Sequence, residues 1–380
     1  YYSYRGRTQV FSTTRIIWNF YYKIIRNLNS VISQIDPEIK DPRFVHLRSR
    51  ALALRAYCYF NLIRVYQYTY QGNEAKPGIP TFDGGDVIIP SRAKVSEVYD
   101  LILSDLETSI IGIDGFNRND KGKIDKSVVA GIYARVLLET GTDWAKCISM
   151  AKTAKAGGTL ISGSEWASGG FDEISSTGWL WGADIDAQSS TIYASFFSHV
   201  STTNAGYAGL LGVYKNIDKR LYDAIPATDI RKTAFGADYK NYKFEDATNF
   251  QGDYVYMRVA EMYLIEAEAK ARSGDDNGAA DILYDLVSTR DSSYTKSTNK
   301  GQVLINEILL QRRIELWGEG FAWFDMKRTK TPLVRTYPGS NHPLFGEKNF
   351  SPTANEFLFQ IPEKEIINNN DISPGDQNPL

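Results

Sequence analysis

Residues 302–330, QVLINEILLQRRIELWGEGFAWFDMKRTK, interleave ionisable and large aromatic side chains on a pattern that fits a pair of packed helices. Leu304, Ile305, Ile308, Leu309 and Leu316 recur at helical spacing, Gly318-Glu319-Gly320 stops the first helix, and residues 321–328 begin a second. Burying Arg312, Arg313, Glu315, Glu319, Asp325 or Arg328 beside Trp317, Trp323 and Phe324 is costly for any ion left unpaired. These groups are therefore expected to satisfy one another in an ionic network at a tight corner, a structural role rather than a catalytic carboxylate pair.

The same periodicity runs through much of the chain. In residues 15–35 the apolar positions Ile17, Phe20, Tyr21, Ile24, Ile25, Leu28, Val31 and Ile32 fall at steps of three and four, and Asp36-Pro37 ends the pattern. Residues 44–68 give a second helix, in which Ala53, Ala56, Tyr57, Phe60 and Ile63 mix small and large side chains as interlocking helix pairs do. Residues 95–111, 126–140 and 144–156 continue the series, and 257–272, 278–290 and 303–317 resume it after an interruption. The predicted fold is mainly α: a tetratricopeptide-like scaffold of helical hairpins carrying a long, loop-rich insertion with short strands. Residues 1–380 then read as one domain. Its parts are a first helical section at 15–157, the insertion at 158–256, a second helical section at 257–330 and an extended tail at 331–380, closed by Asn and Pro turn chemistry.

Composition narrows the function. With 43% apolar and 23% charged residues the chain can bury a large core, and a formal net charge of -2 with pI near 6.1 provides no broad basic field for nucleic acid or anionic lipid. Cys58 and Cys147 both lie in apolar helical patterns, where buried thiols rather than a disulfide framework are expected. No apolar run approaches a membrane span, and the first fifteen residues resemble a processed or truncated start rather than a secretory signal.

The insertion is the part expected to bind something. From Ala156 through Tyr214 there is no Lys or Arg in 59 residues, although the chain has 43 of them, while Ser, Thr and Gly abound around three of the seven tryptophans. A sugar ring has an apolar face and a hydroxyl edge, so a protein that grips one needs flat aromatic platforms with short polar side chains beside them. Trp179 and Trp181 stand at strand spacing, expected on one face, and Trp166 lies between Ser164 and Ser168. Trp166, Trp179, Trp181, Tyr193 and Tyr207 fit either ligand platforms or core packing and are carried as candidate ligand contacts. Phe171, Phe196 and Phe197 lack a polar handle and belong with the core. Tyr1, Tyr2, Tyr4, Arg5 and Arg7 form a second aromatic and hydrogen-bonding cluster, either reaching the same surface or fraying, and Tyr4 and Arg7 join the candidate set.

Catalytic signatures are missing: there is no nucleotide-binding glycine loop, nucleophile elbow or H-E-x-x-H, and His46, His199 and His342 are far apart in sequence. Among the acids, Asp83, Asp86, Asp172-Glu173, Asp184 and Asp186 read as solvated loop residues rather than a glycosidase pair. In residues 117–125, NRNDKGKID, Lys121 stands where a calcium loop needs an oxygen ligand and Val128 where it needs the closing Glu. Neither enzyme activity, a cofactor nor a bound metal is expected.

Four segments together resemble the SusD/RagB family of surface nutrient-binding lipoproteins in Bacteroidetes-type bacteria: RAYCYFNLIRVY at 55–66, YMRVAEMYLIEAEAKA at 256–271, the corner motif above, and FQIPEKEIINNNDISPGDQNP at 359–379. Asp229-Ile230-Arg231 is similar to a further D-x-R element of that family, with a salt-bridged turn as its simple structural account. The resemblance implies a non-catalytic protein that binds an oligosaccharide outside the cell and passes it to a SusC-like TonB-dependent outer-membrane transporter. It also implies location on the extracellular face of the outer membrane, held by a lipid-modified cysteine upstream of the residues present here. Absence of Lys and Arg from residues 156–214 points to a neutral glycan. The alternative is a helical-repeat protein that binds peptides or proteins for uptake.

Overall fold

The computed structural model describes residues 4–82, 91–169, 171–193, 195–204, 206–246 and 248–380, so that Tyr1, Tyr2, Asp83 and Asp86 lie outside the described residues. Capping fixes the first helices. After α1 (Ser12–Ser33), Asp41 accepts from the Arg43 amide at 3.0 Å to open α2 (Pro42–Tyr66), with Pro42 in the first turn where its missing N–H costs nothing. Beyond α3 (Val95–Gly112), Asp125 and Asp143 cap α4 (Lys126–Thr140) and α5 (Trp144–Lys155) in the same way. Helix α4 stops at Gly141, whose φ of 65° is left-handed.

The insertion contains the short helix α6 (Gly163–Ser168), strand β1 (Trp179–Ala183), the short helices α7 (Phe196–Val200), α8 (Tyr207–Leu210) and α9 (Lys219–Asp223), and strand β2 (Tyr254–Arg258). The chain then returns to the frame through α10 (Val259–Arg272), α11 (Asp276–Val287), α12 (Gly301–Glu315) and α13 (Ala322–Arg328). Consecutive helices α1, α2 and α3 pack in series, α4 packs on α5, and α10 lies against α5, α11 and α12. The helical series thus closes across the insertion. The second helical section begins later than the periodicity suggests: Met257 belongs to β2, because residues 254–258 pair antiparallel with β1.

The tail adds the two-residue strands β3 (Leu333–Val334) and β4 (Asn349–Phe350), which pair, and the short helix α14 (Glu363–Asn368). It is laid over the frame: the Phe359 amide donates to the Val65 carbonyl at 3.2 Å and Asn378 Nδ2 to the Tyr66 carbonyl at 2.6 Å. Lys327 also caps α2 from a distance, its buried ammonium directed at the carbonyls of Arg64 and Gln67.

The corner at 302–330 is ionic, as its residues require. Gly318 and Gly320 turn the chain with φ of 80° and 87°, and a Cβ at Gly318 would stand 2.4 Å from the Phe244 ring. Glu315 is fully buried and meets Arg231, Arg258 and Arg290; Glu319 meets Arg258 at 2.7 Å and Lys243 at 2.6 Å; Asp325 meets Arg312 and Arg328 at 2.8 Å each. Burial alone would raise the Glu315 pKa, but the three guanidiniums outweigh it and hold the carboxylate far below its usual range. Arg313 departs from expectation by standing at an exposed position outside this network.

Both cysteines are buried and free, and burial pushes each thiol up to about 12. Among the described residues no helix is long and apolar enough to cross a membrane.

Candidate functional site

The ribbon of β1 and β2 decides where the tryptophans go. Trp179 pairs with Arg258 and Trp181 with Met257, so β1 advances two residues while β2 advances one. That bulge turns the two indoles apart instead of leaving them on one face. Trp179 enters the core beneath the insertion with Phe171, Phe197 and Phe244, whereas Trp181 enters the core of the helical frame.

The expectation that the three indoles present open faces is therefore corrected. Trp166, Trp179 and Trp181 are 1%, 2% and 5% exposed. Trp166 Nε1 donates to Glu315 Oε1 at 3.1 Å, and Trp181 Nε1 donates to the Gly122 carbonyl at 3.2 Å. Trp166 and Trp181 have thus found partners for their buried N–H groups.

Among the exposed aromatic side chains of the described residues, two groups bear on the insertion. The first contains the sequence candidates Tyr193 and Tyr207. Tyr193 is 73% exposed and meets the half-buried Tyr207 edge to face with ring centroids 5.9 Å apart. His199 lies 5.0 Å from Tyr207 and its Nε2 is 3.0 Å from the Tyr193 carbonyl. Beneath them Phe196 and Phe197 pack on Tyr254, and Phe196 also packs on Phe244. A close backbone crossing fixes Tyr207: a Cβ at Gly206 would meet Ser198 Cα at 2.6 Å, so only glycine fits.

The Ser and Thr side chains here are mainly braces. Ser190 and Ser195 bond the Phe250 carbonyl, Ser198 bonds the Ile192 carbonyl, and Thr202 and Thr203 bond the Glu245 carboxylate. They stiffen a loop that lacks regular structure and so hold Tyr193 outward. Polar composition in the sequence therefore signalled loop architecture more than a set of free ligand donors.

The second surface was missed from sequence. Trp181 lies between Tyr57 of α2 and Tyr256 of β2, with centroids 5.0 Å and 5.1 Å away. Tyr256 is 39% exposed, and on α1 Phe20, 58% exposed, rests edge-on against Tyr21. Burial, reinforced by the neighbouring Tyr57, raises the Tyr21 phenol. Burial likewise raises Tyr57 and Tyr256, so these phenols remain neutral hydrogen-bonding groups across the physiological range. Tyr57 reads from sequence as a helix-interlocking residue and Tyr256 as the end of the insertion; only their common contact with Trp181 joins them, and no local spacing encodes that.

Tyr4 and Arg7 are not brought to either cluster. Tyr4 stacks edge-on with Phe350 at 4.9 Å and accepts from Arg335 Nη1 at 2.7 Å, and Arg7 Nη1 donates to the Asn355 carbonyl at 3.3 Å. Tyr4 and Arg7 are held by the tail and are not part of the insertion surface.

Cations absent from residues 156–214 nevertheless reach that segment in space. Arg118 donates to the Leu180 carbonyl at 2.6 Å, Lys121 donates to the carbonyls of Ser175 and Ser176, and Lys243 sits 5.5 Å from the Trp166 ring. Lys243 and Arg118 serve its buried side, whereas Lys121 bonds the exposed Ser175. Between α7 and α8 the bracing charge is the carboxylate of Glu245, which holds Ser201, Thr202 and Thr203. In the loop once weighed for calcium, Asp125 caps α4 and pairs with Arg118 while Asp120 pairs with Lys123. Among the described residues no group of three or more His, Cys, Asp or Glu is placed to hold a metal ion.

Comparison with known proteins agrees with this architecture. A family model described as SusD family matches residues 170–380, and one described as starch-binding associating with outer membrane matches residues 4–138. A SusD-like protein of Formosa agariphila is 23% identical, the match covering 84% of this chain and 73% of that protein. A crystal structure of a SusD-like carbohydrate binding protein from Bacteroides vulgatus superposes with a TM-score of 0.85 at 28% identity, covering 99% of this chain and 86% of that one. A putative sugar binding protein from the same species superposes with a TM-score of 0.79 at 23% identity, covering 96% and 84%. With one model spanning more than half of the sequence and the fold shared along nearly all of it, the chain belongs to the SusD family.

Proposed function

We propose that this protein binds a neutral oligosaccharide outside the cell, without chemically changing it, and delivers it to a SusC-like TonB-dependent transporter in the outer membrane. The observation that carries the reading is the Tyr193 ring, 73% exposed and backed by Tyr207 on a loop braced from within. A flat phenol held open to solvent, with another behind it, suits the apolar face and hydroxyl edge of a sugar at low entropic cost. Family membership and the carbohydrate-binding relative support the ligand class, and the outer-membrane description of the amino-terminal match supports the location. Anchoring through a lipid on an upstream cysteine belongs to the same proposal. Tyr256 and Tyr57, over Trp181, offer a second contact surface for a longer chain.

Each aromatic contact adds roughly 0.5–1.5 kcal/mol beyond buried area, so two or three give micromolar to millimolar affinity. The Glu245 carboxylate disfavours uronates and sulfated sugars at the Tyr193 loop. Calorimetry against a panel of neutral and acidic polysaccharides tests the reading. The expected result is binding to neutral members, weakened about 5- to 150-fold by Tyr193→Ala with Tyr207→Ala, with circular dichroism and Tm unchanged. Tight binding confined to acidic polysaccharides would overturn the charge argument.

A peptide ligand is the second reading, favoured by Leu210, Leu211 and Val213, which are 69%, 59% and 47% exposed beside Tyr207. Saturable binding of peptides with no response to any polysaccharide would select it.

A further inference from the structure

We infer that the cleft between α1 and α14 is a second binding site, which takes a uronic acid residue, a sugar that carries one carboxylate. The cleft has a volume of about 300 Å³, is open to solvent, and is lined chiefly by Arg15, Trp18 and Asn19 of α1 and by Lys364, Glu365 and Asn368 of α14. It shares no residue with the Tyr193 loop or with the surface over Trp181, so it stands independently of the function proposed for them.

Its two walls are fixed to one another. The Gln9 amide donates to Gln360 Oε1 at 3.0 Å, the Thr14 hydroxyl donates to the Gln360 carbonyl at 2.7 Å, and the Glu363 amide donates to the Gln9 carbonyl at 3.2 Å. These bonds stitch the tail to the start of α1 and leave the cleft between them.

Trp18 points to a ligand. It is 3% exposed, held edge-on by Tyr66 at 4.8 Å and packed on Tyr22 at 4.7 Å, yet its indole N–H has no hydrogen-bond partner among the described residues. The small open part of this side chain lines the cleft, so the donor is satisfied from there.

Charge selects a carboxylate. Arg15 and Lys364 are exposed, line the cleft and form no ion pair among the described residues, although Glu365 stands in the same lining. Residues 1–35 contain no Asp or Glu, and Glu363 does not line the cleft. Two cations thus face one carboxylate, a surplus that a monoanion balances, whereas a phosphate dianion would bring excess negative charge beside Glu365.

The other lining groups suit hydroxyls. Asn19 and Asn368 offer side-chain amides, which both donate and accept. Glu365 is steadied through Oε1, which accepts from Asn369 Nδ2 at 3.1 Å, and its second oxygen is left to accept a ligand O–H. A uronic acid, with one carboxylate on a ring of hydroxyls, answers each of these groups; a simple carboxylate answers only the cations.

Calorimetry of the whole chain with glucuronate, galacturonate, their neutral counterparts glucose and galactose, and acetate tests the assignment. At least one uronate should bind saturably in the millimolar range, about 10-fold more tightly than its neutral counterpart or acetate, and more weakly as salt is added. Arg15→Gln combined with Lys364→Gln should remove that preference with circular dichroism unchanged, and Trp18→Phe should weaken the uronate as well. If Trp18→Phe does not fold, the two surface substitutions decide. Tyr193→Ala should leave uronate binding intact, which separates this site from the insertion. Absence of uronate binding, equal binding of acetate or of the neutral sugar, survival of the preference in the double variant, or its loss in Tyr193→Ala overturns the inference.

Discussion

Trp166 donates its indole N–H to Glu315 across 149 residues of sequence, at 3.1 Å, and so joins the insertion to the ionic centre of the helical frame. A residue read as a possible sugar platform is instead a tether. Its ring packs edge-on against Phe171 and faces the buried ammonium of Lys243.

Trp166→Phe should therefore lower stability by about 1.5–3 kcal/mol, the range of one hydrogen bond to a charged group. Glu315 Oε1 keeps Arg258 and Arg290, so the carboxylate is not orphaned. Trp166→Ala should cost more, about 3–5 kcal/mol, because a cavity is added. Urea denaturation checks both, and glycan affinity should stay unchanged since the ring is sealed.

Glu315→Gln leaves Arg231, Arg258 and Arg290 facing an uncharged amide with no water to solvate them. Breaking one buried pair costs about 3–5 kcal/mol, and here three cations share the loss. The variant should unfold at markedly lower urea, with greater destabilisation than Trp166→Phe. Equal midpoints for the two would show that the network is worth little.

The same carboxylates make the fold acid-labile. Burial raises the Glu268 pKa, but Arg328 and Arg272 outweigh it and bring it down to about 2, and Glu315 is likewise held low. A carboxyl whose folded pKa lies below its ordinary 4.5 stabilises fully above that pH, and the contribution fades as pH falls from 4.5 toward 2. Tm should drop across that window, and Glu268→Gln should flatten the drop from an already lower starting point. A wild-type Tm constant from pH 5 to about 2.5 would contradict the assignment.

What could be read from sequence followed how local each signal was. Helices α1 to α5 and α10 to α12 announce themselves because periodicity and caps such as Asp125 and Asp143 act within a few residues. The need for an ionic corner was also legible, since charged positions within the apolar pattern of α12 must be paired. The partners were not. Arg231, Arg258 and Arg290 arrive from 84, 57 and 25 residues away, and the Asp229-Arg231 turn turned out to be one arm of that network. Of the acids on α10, Glu268 bonds Arg272 within the helix, whereas Glu261 goes to Arg135 and Glu266 to Lys155 on other helices.

The tryptophans show the same limit. Strand spacing placed Trp179 and Trp181 together, and register shifts on either side of Trp181, invisible in the side-chain pattern, accompany their entry into separate cores. Counting cations along the chain failed likewise, because Arg118, Lys121 and Lys243 approach the Lys- and Arg-free segment from outside it. Tyr193 escaped burial because it lies in the loop before α7, where Phe197 rather than the tyrosine fills the core.

The last expectation separates support from contact at the second aromatic surface. Trp181 is wedged between Tyr57 and Tyr256 and tied to the Gly122 carbonyl, so Trp181→Ala should cost about 3–5 kcal/mol and loosen both tyrosines. Tyr256 is 39% exposed, so Tyr256→Ala should change stability by less than about 1 kcal/mol. If a bound glycan extends past Tyr193 to this surface, Tyr256→Ala should weaken long oligosaccharides while leaving short ones unaffected, because only a long chain reaches both. Calorimetry with a length series of one neutral glycan decides the matter. Equal loss for every length would place Tyr256 within the primary contact, and no loss at any length would confine binding to the Tyr193 loop.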